Sequence, residues 1–187
     1  MKRTLLFTLL LSFTLVLFAQ EEKTKLTRKE RREIKKQEQK EYEKNLAAAL
    51  AVGIDSQKWV LEANSLSNKR GSSMPVNSTL NFIALEGDEA FIQLGSNSGL
   101  GANGVGGVSV RARVTKYEVK KNEKKGTYFL QIYTSSAIGS FDIRMDCNSS
   151  GQIATATISG NTSRKVTYSG QLVPIEMSTV YKGTPII

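Results

Sequence analysis

The chain has 187 residues, a formal net charge of +9 and no histidine. Without histidine, Ser–His–Asp and Cys–His catalytic arrangements and histidine-ligated zinc sites are excluded. Cys147 is the single cysteine, so no intramolecular disulfide can form and stability must come from a packed core.

Residues 1–19 have the order of a secretory signal peptide. Two basic residues precede an apolar or hydroxyl run over residues 5–18, and Ala19 supplies a small residue before a charged stretch. The run is about 14 residues long, whereas a membrane-spanning helix needs roughly 20. We predict a cleaved signal, no transmembrane span after cleavage and a periplasmic or secreted location, with an uncleaved N-terminal anchor as the alternative.

Residues 20–52 are predicted to form a charged, largely helical arm. Between residues 21 and 44 there are ten Lys or Arg and seven Glu, with no Gly or Pro, and these residue types favour helix. The arm is interpreted either as a solvated helical spacer or as a basic segment that binds an acidic envelope component. The interleaved Glu residues weaken the field that a polyanion would feel, and export argues further against nucleic acid.

Residues 53–187 are predicted to form a β-rich globular domain. Val108, Val110, Ala112 and Val114 alternate with polar residues, which is the period-two pattern of a half-buried strand. The fold class predicted is mainly β: an antiparallel barrel or sandwich of about eight strands preceded by one N-terminal charged helix. The predicted strands are residues 58–64, 80–87, 89–95, 108–115, 127–134, 138–147, 152–159 and 165–173.

A Gly-rich loop before residue 108 is the candidate ligand-binding segment. Residues 99–104 match the G-x-G-x-x-G pattern, but that pattern binds dinucleotides only where a helix follows, and here a strand is predicted to follow. The loop is either a mobile hairpin connection with positive-φ glycines or a segment whose backbone approaches a ligand closely. The candidate ligand-loop residues are Gly99, Gly101, Asn103, Gly104, Gly106 and Gly107.

Acidic residues offer no clear catalytic or metal site. Asp142 and Asp146 share one strand face with Arg144 between them, which favours a surface ladder over a catalytic pair, while Cys147 takes the apolar face. The acidic residues near the turn at residues 86–89 fit no metal-loop template. No catalytic residue, metal or cofactor is therefore predicted.

Five segments carry a resemblance to a known family. They are Trp59-Val-Leu-Glu-Ala-Asn64, residues 76–83, Ala90-Phe-Ile-Gln-Leu-Gly95, Asn103-Gly-Val-Gly-Gly107, and the ending from Tyr168 to Pro174 with Ser178-Thr-Val-Tyr-Lys-Gly183. Together they resemble the bacterial exported family catalogued as domain of unknown function 4251, over roughly residues 45–183. The resemblance implies export and the extent of the domain, and it implies no activity.

Two functions from different classes follow. In the first, the domain is a non-catalytic binding module that holds a small apolar or amphipathic ligand, with residues 99–107 at its mouth. In the second, the protein is a structural or interaction component of the cell envelope that uses the basic arm. An enzyme would require a buried, pKa-shifted carboxylate or Lys in a cleft, and the sequence indicates none.

Overall fold

The computed structural model describes residues 27–96, 106–160 and 165–185. One helix, α1 (Arg28–Asp55), precedes nine strands, and a short 3₁₀ turn (Ile175–Met177) follows them. The strands are β1 (Lys58–Asn68), β2 (Ser73–Pro75), β3 (Phe82–Glu86), β4 (Glu89–Gly95), β5 (Gly107–Asn122), β6 (Thr127–Ser136), β7 (Gly139–Asn148), β8 (Ala154–Gly160) and β9 (Lys165–Pro174).

Eight of these strands close into an antiparallel barrel. The strands pair in the order β2-β1-β3-β4-β5-β6-β7-β8-β9, and β1 also pairs with β9, which closes the ring and leaves β2 as an extra strand. Closure removes the exposed edges that an open sheet would present. The prediction of a mainly β barrel or sandwich of about eight strands after one helix is confirmed, in its barrel form.

Strand alternation sorts the side chains between the barrel interior and its outer face. On β7, Ile143, Met145 and Cys147 are buried in the main core. On the other face of that strand, Arg144 donates a hydrogen bond to Asp142 at 2.9 Å. The predicted division of this strand into an apolar face and a charged face is therefore confirmed.

The chain divides into two units, with the boundary between residues 41 and 42. The described part of the first unit is the beginning of α1, and all of its residues are exposed. Its helix starts with a capping box, in which the Thr27 amide donates to Glu30 at 2.7 Å and the Glu30 amide donates to the Thr27 hydroxyl at 3.3 Å.

In the second unit, the last turns of α1 close one end of the barrel. Leu50 and Ile54 are fully buried in the main core. The Tyr117 hydroxyl donates to the Ile54 carbonyl at 2.8 Å, which satisfies one of the acceptors left unpaired at a helix C-terminus. The Trp59 indole in turn donates to the Tyr117 hydroxyl at 3.2 Å. We call this end, where the β3–β4, β5–β6 and β7–β8 turns lie, the closed end.

The residues after β9 cover part of the barrel's outer surface. We call residues 175–185 the C-terminal strap. Ile175 and Val180 pack against a second small core on β1, β3 and β4, in which Phe82 and Phe91 stack with ring centroids 5.8 Å apart. The Ser178 hydroxyl donates to Glu62 at 2.6 Å and fixes the strap to β1.

Candidate functional site

An apolar cavity of about 200 Å³ lies inside the barrel at the end opposite α1, which we call the open end. The strand ends at residues 95, 107, 136, 139, 160 and 165 all lie at this end because neighbouring strands of the ring are antiparallel. Apart from the hydroxyl of Tyr168 and the main chain, the part of the wall formed by described residues is apolar. The lining residues are Ile92, Leu94, Val108, Val110, Ile138, Phe141, Ile158, Gly160, Val166 and Tyr168.

Tyr168 forms the floor of this cavity. Its side chain is fully buried, and its hydroxyl donates to the Gln93 carbonyl at 3.2 Å. Tyr168 lies on β9 and Gln93 on β4, which are three strands apart around the ring, so the side chain crosses the interior. Burial raises the pKa of the Tyr168 hydroxyl, which therefore stays neutral at physiological pH.

A second apolar groove, of about 300 Å³, joins the cavity at its rim. It forms where the short β3, which pairs only with the Lys58–Glu62 half of β1, is followed along the same edge of β1 by β2, which pairs with Ser65–Ser67. The groove is lined by Leu66, Met74 and the turn between β1 and β2, and it shares Leu94 and Val166 with the cavity. We call it the rim groove.

The size of the cavity matches a small apolar group. An apolar cavity of about 150 Å³ in another protein binds benzene, and drug-sized ligands use roughly 300–1,000 Å³. The cavity alone therefore suits a ring or a short chain, and the cavity with the rim groove suits a longer ligand.

Of the candidate ligand-loop residues, only Gly106 and Gly107 are among the described residues; Gly99, Gly101, Asn103 and Gly104 lie outside them. Gly106 has a φ of +64°, and Gly107 pairs with Gly95 at the base of the β4–β5 hairpin. A Cβ on Gly107 would lie 2.0 Å from the Leu94 carbonyl oxygen. The local backbone structure therefore accounts for glycine at both positions. Contact of this loop with a ligand stays a prediction. The strand expected after the loop is confirmed as β5.

The cysteine and the acidic residues considered in the sequence analysis have structural surroundings that give no sign of catalysis or metal binding. Burial raises the pKa of the Cys147 thiol to about 12, so this cysteine is a poor nucleophile. Near the β3–β4 turn, Glu86 pairs with Lys182 at 3.1 Å. Across residues 27–96, 106–160 and 165–185, no group of three or more Cys, Asp or Glu side chains could hold a metal ion.

Sequence reasoning did not single out Tyr168, Ile138 or the rim groove. The alternation along β9 marks Tyr168 as inward-facing, but its partner on β4 follows only from closure of the barrel. The exposed apolar residue Ile138 between Ser136 and Gly139 was a usable signal, because a large apolar side chain in a tight turn is uncommon.

These features define a class: a small eight-stranded antiparallel barrel with a helix at one end and an apolar cavity at the other. Within that class, the chain belongs to the DUF4251 family, a domain of unknown function, whose model matches residues 37–172. It is similar to the crystal structure of a DUF4251 family protein from Bacteroides eggerthii. The two chains share 27% sequence identity, with a TM-score of 0.59 over 71% of this chain and 90% of the other.

No curated protein matches the chain. In the part of the chain that the structure describes, no helix is both long enough and apolar enough to span a membrane.

Proposed function

We propose that this protein is an exported, non-catalytic binding protein of the bacterial envelope that holds a small apolar or amphipathic ligand in the open end of its barrel. The observation that carries the proposal is the apolar cavity above Tyr168, in a barrel whose other end is filled by Leu50 and Ile54 of α1. A barrel of eight strands has room for side chains or for one small ligand.

The cavity walls support binding because they are preformed. Tyr168 is fixed by its hydrogen bond to β4, and Ile92 and Ile158 stand on paired strands of the closed ring. Val108 and Ile138 line the cavity and are 47% and 48% exposed. A ligand that covers such side chains gains about 25 cal/mol for each Å² of apolar surface removed from water.

The chemistry of the wall supports binding without turnover. Among the described residues that line the cavity, Tyr168 is the single titratable one, and its raised pKa makes it a weak proton donor and no base at neutral pH. The signal-like residues 1–19 support the periplasmic or secreted location.

Native mass spectrometry of the protein purified gently from its own envelope tests the proposal. We expect an extra mass that denaturation releases. In Val108→Phe the added ring fills the mouth of the cavity and takes the ligand's place. We therefore expect the fraction of protein that carries the extra mass to fall at least about tenfold. Ile153→Phe is the matched control, because Ile153 is exposed in the β7–β8 turn at the closed end. A clean mass for the wild-type protein would contradict a tightly held ligand.

The exposed start of α1 favours a second candidate function, docking of the arm on an envelope component. Over residues 28–41 the helix carries seven Lys or Arg and four Glu, and every residue is exposed. Deletion of residues 21–41 would then abolish recovery of a partner in a crosslinking pulldown and leave ligand occupancy unchanged. Unchanged recovery would remove this candidate.

A further inference from the structure

The rim groove gives the ligand site an elongated form. The cavity reaches down to Tyr168, and the groove extends it past Leu94 and Val166 towards Met74, which is 60% exposed on β2. A site that continues from an enclosed floor to an open, apolar rim suits a flexible chain better than a compact ring system.

A cluster of three cations stands beside the rim groove. Lys69 and Arg70 occupy the β1–β2 turn, and Lys165 begins β9. The register pairs Asn68 with Val166, so Lys69 and Lys165 follow as neighbours just beyond the last pair. All three side chains are exposed. We call Lys69, Arg70 and Lys165 the basic cluster.

The turn that carries two of these cations is held in one conformation. The Asn68 side-chain oxygen accepts hydrogen bonds from the Arg70 amide at 2.9 Å and the Ser72 amide at 3.2 Å. Gly71 has a φ of +85°, which glycine adopts without strain, and its amide donates to the Asn68 carbonyl at 3.0 Å. Asn68 and Ser72 also line the rim groove, so the turn that carries Lys69 and Arg70 is held at its wall.

No described acidic residue forms an ion pair with Lys69, Arg70 or Lys165. Among the described acidic residues, Asp142 alone lies in the open-end half of a strand, on the outer face of β7, where Arg144 donates to it at 2.9 Å. The described ion pairs elsewhere involve other lysines and arginines. The open end therefore combines an apolar interior with a positively charged rim.

From this arrangement we infer that the ligand is a single-chain amphiphile with an anionic head group, such as a fatty acid. The acyl chain occupies the cavity and the rim groove, and the head group lies against the basic cluster. The inference rests on the proposed function and adds the ligand's chemical class to it.

The test compares three twelve-carbon chains that differ in head-group charge: dodecanoate, dodecanol and dodecyltrimethylammonium. Binding to the purified chain is measured by calorimetry at low and at physiological salt. We expect dodecanoate to bind at least about tenfold more tightly than the cationic chain at low salt, with the ratio shrinking as salt screens the rim.

Removal of the basic cluster in K69Q/R70Q/K165Q should weaken dodecanoate binding about tenfold at low salt and leave dodecanol binding within about twofold. The matched control is K120Q/K124Q/K125Q, which removes the same charge from exposed lysines around the β5–β6 turn at the closed end. We expect the control variant to bind all three chains as the wild-type protein does.

Two failures are distinguishable. If dodecanoate and dodecanol bind equally well and neither triple variant changes the affinities, the anionic class is wrong and the proposed binding function stands. If none of the three chains binds and the protein from its envelope carries no extra mass, the proposed function fails and this inference fails with it.

Discussion

Gln93 is a buried amide whose full hydrogen-bonding capacity is used. Its nitrogen donates to the carbonyls of Leu80 at 3.1 Å and Tyr181 at 2.9 Å. Its oxygen accepts from the Ser109 hydroxyl at 3.1 Å and the Gly183 amide at 2.8 Å. One side chain thus connects β4 and β5 to the C-terminal strap. This gives a structural role to two of the segments that carry the family resemblance.

Gln93→Leu should lower the free energy of unfolding by about 2–4 kcal/mol, because buried carbonyl and amide groups lose their partners. Urea unfolding measures the loss, and hydrogen exchange at the Gly183 amide should become faster as the strap detaches. Gln171→Leu is the control at an exposed glutamine on β9 and should change stability by less than about 0.5 kcal/mol. Equal effects of the two substitutions would contradict the role given to Gln93.

The raised pKa of the buried Cys147 thiol predicts a loss of stability at alkaline pH. Burial raises the pKa of this thiol from about 9 to about 12 in the folded protein. Between these values the folded chain holds a proton that the unfolded chain releases, so the free energy of unfolding falls by about 1.4 kcal/mol per pH unit. The effect is absent below the unfolded pKa and develops fully as pH rises through the folded one.

Urea unfolding at pH 8 and pH 10.5 under reducing conditions checks this prediction. Cys147→Ala lacks the ionising thiol, so the stability difference between wild type and variant should change in the variant's favour by about 2 kcal/mol between the two pH values. Tyr181→Phe is the control, at an exposed residue. The stability difference between wild type and Tyr181→Phe should be the same at the two pH values. A wild-type protein and Cys147→Ala variant with parallel pH profiles would contradict the buried, protonated thiol.

The helix α1 acts on stability through its C-terminal turns. Leu50→Ala should cost about 2–5 kcal/mol, because a fully buried side chain is removed from the core at the closed end. Ile34→Ala is the control on the same helix, at a residue that is 40% exposed, and should cost less than about 0.5 kcal/mol. Urea unfolding of both variants measures the contrast. Equal costs would mean that the helix contributes by its propensity alone.

Most strands could be predicted because their physical cause is local. Alternating side chains and flanking turn residues place β4 at Glu89–Gly95 and β9 within one residue of its observed end. The three-residue β2 was missed, because Ser-Met-Pro has no period and exists as a strand only against β1. The burial of Leu46, Leu50 and Ile54 was missed as well, because their i, i+4, i+8 spacing lies in an Ala-rich stretch of a highly charged helix.

At the scale of the whole molecule, the candidate site depends on contacts that the local sequence does not contain. Tyr168 becomes a floor only when β9 and β4 stand across a closed ring, and the rim groove exists only where β2 follows β3 along one edge of β1. Closure joins β1 to β9, from opposite ends of the barrel sequence, so it is a non-local pairing of the kind that folds slowly. The Gly-rich segment was visible in the sequence, whereas the cavity above Tyr168 required the fold.

The β1–β9 seam gives the last prediction, which concerns Gly170. The register of this seam shifts between Ala63 and Ser65, and a Cβ on Gly170 would lie 1.9 Å from the Glu62 carbonyl oxygen and 2.8 Å from the Ala63 Cα. Gly170→Ala should therefore force the two strands apart, lower the free energy of unfolding by about 3 kcal/mol and weaken binding above nearby Tyr168.

Gly126→Ala is the control for this substitution. Gly126 has a φ of +60°, so the variant pays the left-handed strain of about 1 kcal/mol, but its nearest new contact is 3.6 Å away at Ser149. Urea unfolding and hydrogen exchange of the β1 and β9 amides distinguish the two variants. If the β1 and β9 amides exchange as slowly in Gly170→Ala as in Gly126→Ala, closure of the barrel does not depend on the close approach at Gly170. If the seam opens and ligand occupancy falls with it, the open-end cavity is a property of the closed ring.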